Sequence, residues 1–251
     1  MGAAAGDNGP VGRFWRVRLA ACGRAVRRYV LSAPGTYLWL VILLGTTILL
    51  KNLSPGYRET FLASRSTNLV ELDHEPIRVL IASALYIDGS SWWPYLVMYT
   101  LFHAPAERWL GTLRWLLVVL VAHVGATYIS EGQLNWLIHH SLAPESDRRV
   151  LDFGVSYALA GVQAVLVYKL VPRWRAPYIA VLLVYYGSPM LFAGRTFTDL
   201  GHFSAVLLGF ACYPVAAFRL RGRRLCRVEY NQWDPGAWMR WALAFISARR
   251  D

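Results

Sequence analysis

Charge is scarce in this chain, and lysine is almost missing. Only 16% of the 251 residues are charged, whereas an ordinary soluble domain carries about 25%. A soluble single domain would leave its surface short of charge, so that class is disfavoured. Lysine occurs only at positions 51 and 169, and the other 24 of 26 basic residues are arginine. Cysteine is limited to Cys22, Cys212 and Cys226. Their odd number and wide spacing match neither a disulfide framework nor a zinc motif, and no metal or other cofactor is expected. A cleaved signal peptide is not expected either. Leu19-Ala20-Ala21-Cys22 has the look of a lipoprotein cleavage site, but Arg13, Arg16 and Arg18 just upstream leave no apolar h-region.

What the chain has in abundance is apolar and aromatic side chains: 56% and 14% of the residues, with a mean hydropathy of +0.33. Disorder, collagen, a coiled coil and a small disulfide scaffold are excluded by this composition. A polytopic membrane protein remains, and six apolar runs approach the ~20 residues that cross a hydrocarbon core. They are residues 36–50, 92–106, 110–129, 150–171, 177–193 and 200–218. The second is short and holds Pro94 and His103, which a packed bundle tolerates better than lipid does.

The segments between the runs alternate in charge. The tail before Ala33 has six Arg and one Asp, the turn 169–175 has three basic residues and no acid, and the tail after Phe218 has eight Arg and three acids. The loops 51–91 and 131–149 are balanced or slightly acidic, with four basic residues against five acids and two against three. The positive-inside rule puts both tails in the cytoplasm, and ends on one side require an even number of spans. The net charge of +11 is thus a topology signal, and no nucleic acid is expected as a partner. Arginine with abundant Ala, Gly, Val and Leu suggests a GC-rich bacterial genome and the plasma membrane of such a cell. Residues 1–32 read as a basic cytoplasmic tail, 33–218 as the membrane domain and 219–251 as a second basic cytoplasmic tail. In that last tail, Asp234-Pro235 reads as the cap and first residue of an amphipathic helix carrying Trp238, Trp241 and Phe245. Such a helix lies at the interface, and the arginines of both tails face anionic lipid.

Polar residues inside the spans are functional candidates by default. Ser156 lies about one and a half turns into the fourth run and His202 near the start of the sixth. With the N-terminus inside, both of these runs begin at the outer face, so the two residues share a depth and a leaflet. Gly154 and Ala158, and Gly201, Ala205 and Gly209, form rows of small residues that let helices approach closely. A serine opposite a histidine is the minimal arrangement for a nucleophile and its general base. His103 and His123 have no such partner and read as structural. His139 and His140 in an outer loop are a weak metal signal.

With these residues assembled, the chain resembles the rhomboid family of intramembrane serine proteases. Gly154-Val155-Ser156 resembles that family's Gly-x-Ser. Gly201-His202 with Ala205 and Gly209 resembles its Ala-His-x-x-Gly-x-x-x-Gly, and Glu107-Arg108 with Gly111 resembles its Glu-Arg-x-x-Gly. Asp88-Gly89-Ser90 resembles its His-Gly-Ser. The likeness spans about residues 35–218. It implies an all-α polytopic membrane protein, a six-transmembrane-helix rhomboid-like bundle with both termini cytoplasmic. It also implies the catalytic pair Ser156 and His202 and, as partners, the lipid bilayer and transmembrane segments of other membrane proteins.

The departures from the family concern the oxyanion. The family's His-x-x-x-Asn on the second span is replaced by Trp93 and Val97, or by Ser91 and Tyr95, depending on which motif is aligned. Its Gly after the nucleophile is Tyr157, and the first loop has no Trp-Arg pair. One lost oxyanion donor costs about 10²–10³ in turnover. Two readings follow: a serine endopeptidase that cuts transmembrane substrates near the outer face, or a pseudoprotease that binds them uncut. A channel or transporter is disfavoured by the lack of an internal repeat and of a row of intramembrane carboxylates. The expected geometry is a Ser156–His202 hydrogen bond beside a polar cavity, with Trp93 or Tyr95 in the oxyanion space.

Overall fold

A computed structural model of the protein describes residues 10–87, 91–191, 196–221, 224–227 and 232–236. The described chain is mostly helical. In order, its helices are α1 Pro10–Leu31, α2 Pro34–Lys51, α3 Pro55–Ala63, α4 Leu69–His74, α5 Pro76–Ser83, α6 Trp92–Met98, α7 Ala104–Leu110 and α8 Thr112–His139. They continue with α9 Val155–Val165, α10 Pro172–Gly187, α11 Phe197–Ala211 and α12 Tyr213–Ala217. A two-stranded antiparallel ribbon follows, β1 Phe218–Arg221 and β2 Arg224–Arg227, with Phe218 opposite Arg227. Helices α2 and α8 are long and apolar enough to cross a membrane. Val155–Lys169 and α11 are shorter apolar helices.

The six apolar runs all become helices, with shifted ends. The second is longer than hydropathy suggests, because α6 and α7 are joined through a π turn at Tyr99–His103 into one rod from Trp92 to Leu110. Pro105 stands just past that turn and has no N–H to donate, and a widened turn is a usual way to absorb such a gap. The His103 ring sits fully buried inside the turn, stacked on Tyr99 at 3.9 Å, and its Nδ1 accepts from Trp115 Nε1 at 3.2 Å. The third run extends well past Ile129, where an outer loop was expected to open at Glu131. Leu134 and Ile138 keep the helical spacing and pack against Leu69 of α4, so the loop starts only after His139. Gly111 turns the chain between α7 and α8 with φ +82°, a conformation open to glycine and strained for other residues.

The tails also carry structure that hydropathy does not show. The N-terminal tail forms α1. The first loop folds into α3, α4 and α5, pinned to the bundle where Thr67 N–H donates to the Asp152 carbonyl at 3.0 Å and Asp152 N–H to Ser66 Oγ at 2.7 Å. At the other end, Trp233 N–H donates to the Lys169 carbonyl at 2.7 Å and Arg173 pairs with Asp234. Asp234 Oδ1 accepts the Gly236 N–H at 3.0 Å, in keeping with the cap expected there. The amphipathic helix that it would begin, from residue 237 on, lies outside the described residues, as does the Asp88-Gly89-Ser90 motif.

The core is built around α8, α9 and α11. Their contact is close because the small residues expected to allow it are at the crossings. A Cβ on Gly209 would run into the Gly161 carbonyl oxygen, and one on Gly161 into the Ala122 methyl. Ala158 and Ala205 are fully buried. Because the obstacle at Gly209 is backbone, no rotamer change relieves it. Gly209→Val is therefore expected to destabilise the fold by at least about 1–3 kcal/mol, read as a lowered unfolding midpoint of the purified protein. An unchanged midpoint would refute this account of the α9–α11 crossing.

Candidate active site

Ser156 is the second residue of α9, nearer the helix start than the sequence suggested. The segment 150–154 lies outside the helix, and in it the Asp152 backbone is held by Ser66 and Thr67 of the first loop. His202 is the sixth residue of α11, whose start is set by a capping box between Thr196 and Asp199. The crossing of α9 and α11 brings the two half-buried side chains together. Ser156 Oγ lies 2.9 Å from His202 Nε2.

The other ring nitrogen decides what that contact is. His202 Nδ1 lies 2.8 Å from the Thr198 carbonyl oxygen, one turn earlier in α11. A carbonyl oxygen only accepts, so a neutral His202 carries its proton on Nδ1. Nε2 then holds the lone pair, and the Ser156 hydroxyl donates to it. This is the tautomer a general base requires. Nothing in residue types pointed to Thr198, because its contribution is a backbone atom.

Tyrosines enclose His202. The Tyr157 ring meets it edge-on at 4.9 Å between centroids, and Tyr186 of α10 lies nearly parallel to it at 6.1 Å. Tyr157 also packs on Gly201, where a Cβ would come within 2.5 Å of its ring. Its hydroxyl donates to Asp152 Oδ1 at 2.9 Å. Tyr186 is held by donation to Gln163 Oε1 at 2.6 Å, and Tyr178 by donation to the Gln163 carbonyl at 2.8 Å. Thus the side chain in place of the family's glycine after the serine is a wall of the histidine pocket.

The two residues expected at the oxyanion, Trp93 and Tyr95, lie on α6. Trp93 is 66% exposed and turns its ring edge to Trp92, while Tyr95 leans on Tyr99. Tyr99 makes the link to the serine segment, its hydroxyl donating to the Val155 carbonyl at 3.2 Å. Among the described residues, no side chain caps the first-turn amides of α9. A helix N-terminus of this kind presents N–H groups and a partial positive charge to an anion. A cavity of about 510 Å³ opens between α2, α5 and α8, lined almost wholly by apolar side chains and bordered by His123. His139 and His140 close α8, and the His140 ring stacks on Trp136 at 4.2 Å.

Comparison with known proteins gives one family. Residues 28–222 match the family described as rhomboid-like protein. No match is found among curated proteins or among solved structures. The matched stretch covers most of the chain and includes Ser156, His202 and the helices that carry them. By this match, the chain belongs to the rhomboid-like protein family.

Proposed function

We propose that the protein is an intramembrane serine endopeptidase of a bacterial plasma membrane that cuts transmembrane substrates near their extracytoplasmic ends. The observation that carries this reading is the 2.9 Å contact between Ser156 Oγ and His202 Nε2, with His202 Nδ1 held by the Thr198 carbonyl. Ser156 Oγ attacks the scissile carbonyl while His202 Nε2 takes the hydroxyl proton. The same nitrogen then gives that proton to the leaving amine. A water molecule hydrolyses the acyl-enzyme with His202 again as base. The uncapped first-turn amides of α9, the Ser156 N–H among them, stabilise the oxyanion in place of the family's side-chain donors.

Six spans serve this chemistry: α2, the rod 92–110, α8, residues 155–169, α10 and α11. With both Arg-rich tails cytoplasmic, the starts of α9 and α11 face outward, and so do Ser156 and His202. The basic tails 1–32 and 219–251 contact anionic lipid, and substrates are single-span membrane proteins. Reporter fusions at both termini are expected to read cytoplasmic, and one inserted at residues 141–143 external. An external C-terminus would overturn the six-span arrangement.

A second reading is favoured by one observation, the bulky Tyr157 where the family keeps glycine. On that reading the chain binds transmembrane segments without cutting them. Labelling of the intact protein with a fluorophosphonate separates the two. The protease reading expects the wild type to be labelled and Ser156→Ala not. A folded wild type that resists the probe and leaves transmembrane substrates intact would overturn the protease reading and favour the binding protein.

A further inference from the structure

His123, which reads from sequence as a packing residue, is placed where it touches the nucleophile's support. Its side chain projects from α8 and is nearly completely buried. Its Nε2 lies 2.8 Å from the Leu80 carbonyl oxygen of α5, so in the neutral ring Nε2 carries the proton and donates it. The opposite edge of the ring occupies the space where Gly154 would otherwise bear a Cβ. That Cβ would collide with Nδ1 and Cε1. Gly154 is the residue before α9 and stands two positions ahead of Ser156.

A bare nitrogen on one edge and a donor to Leu80 on the other together set this histidine apart from an apolar filler. His123 Nδ1 is buried and has no hydrogen-bond partner among the described residues. Leaving an acceptor bare in the interior is costly, and an apolar side chain of the same size fills space without that cost. What an apolar side chain lacks is the donor to Leu80.

We propose that His123 is a positioning residue for the nucleophile: its ring seats the Gly154 turn that presents Ser156 and tethers that turn to the Leu80 carbonyl of α5. The proposal rests on the reading of Ser156 as nucleophile. It gives the first loop a mechanical line to the reacting oxygen. The edge of α5 that exposes Ile77 and Ile81 is joined through Leu80 and His123 to Gly154.

The test compares His123→Leu, which fills the space without a tether, with His123→Gln, whose side-chain amide donates to the same carbonyl. His123→Met replaces the leucine variant if that does not fold. Two rates are measured on the full chain in lipid nanodiscs. One is fluorophosphonate labelling of Ser156. The other, in a Ser156→Cys background, is alkylation of the introduced thiol by iodoacetamide, which needs no catalysis. At wild-type unfolding midpoints, His123→Leu is expected to slow both by about tenfold or more, and His123→Gln to restore them to within about threefold. A purely space-filling role predicts the reverse order, with leucine at least as good as glutamine. Wild-type rates in His123→Leu, or no rescue by His123→Gln, overturn the proposal. If the fluorophosphonate ignores the wild type while alkylation follows the expected order, the protease reading fails, and with it the role toward a nucleophile, while the seating of residue 156 by His123 stands.

Discussion

Ser156→Ala and His202→Ala are each expected to abolish cleavage of a susceptible transmembrane substrate, by about 10⁴-fold or more, while leaving expression and unfolding midpoint near the wild-type values. The magnitude follows from how the pair is wired. A serine hydroxyl is a weak nucleophile unless a base takes its proton as it attacks. His202 Nε2 is at hydrogen-bond distance, and its lone pair is kept there because the Thr198 carbonyl claims the other nitrogen's proton. Losing either side chain removes the whole step, so the double variant is expected to be no worse than the singles. Stability changes little because both side chains are only half-buried and neither is a large core residue. The measurement is cleavage of a reporter substrate in reconstituted membranes, with circular dichroism as the control for folding. Cleavage that survives in Ser156→Ala would remove the mechanism outright.

The second large effect is one of stability. Glu107 is 2% exposed, yet its carboxylate is fully satisfied by donors. Oε1 accepts from Gly35 N–H at 2.9 Å and Thr112 Oγ1 at 2.8 Å. Oε2 accepts from Thr36 N–H at 2.7 Å and Thr36 Oγ1 at 2.8 Å. Helix α2 begins with Pro34 and has no side-chain cap of its own. Its first free amides are capped from outside by a carboxylate on α7, which also holds the first residue of α8. One side chain therefore ties the starts of two long apolar helices together. Glu107→Ala leaves the buried Thr36 amide and hydroxyl, the part-buried Gly35 amide and the Thr112 hydroxyl without their acceptor. It is expected to cost about 3–5 kcal/mol, with Glu107→Gln in between because an amide nitrogen cannot accept. Unfolding in mixed detergent micelles, compared with the wild type and with Ser156→Ala, measures it. A Glu107→Ala variant within about 1 kcal/mol of wild type would contradict this role.

The residues that carry these effects differ in how far sequence alone revealed them. Composition and apolar run length determined that the protein is helical and built for a membrane, because both follow from residue type summed along the chain. Ser156 and His202 were legible as polar residues in apolar runs, flanked by small residues that permit close crossing. Glu107 was legible as part of a motif, though its four donors were not. The ends of elements were less legible, because they depend on contacts. Helix α8 runs on to His139 only because Leu134 and Ile138 find Leu69 of α4, and the second run gains length only through the π turn around His103.

Tertiary structure alone decided the rest. The Ser156–His202 distance joins residues 46 positions apart and is set by the α9–α11 crossing. The tautomer of His202 depends on the Thr198 carbonyl, and the tether of His123 on the Leu80 carbonyl. A carbonyl oxygen is common to every residue and leaves no trace in sequence. His123 and His103 look alike as lone histidines in apolar runs. Packing makes one a ring sealed among Tyr99, Trp39 and Trp115, and the other a link between α5 and the serine's turn. Residue type determines which atoms are available to react, and only the packing of helices brings a donor to its acceptor.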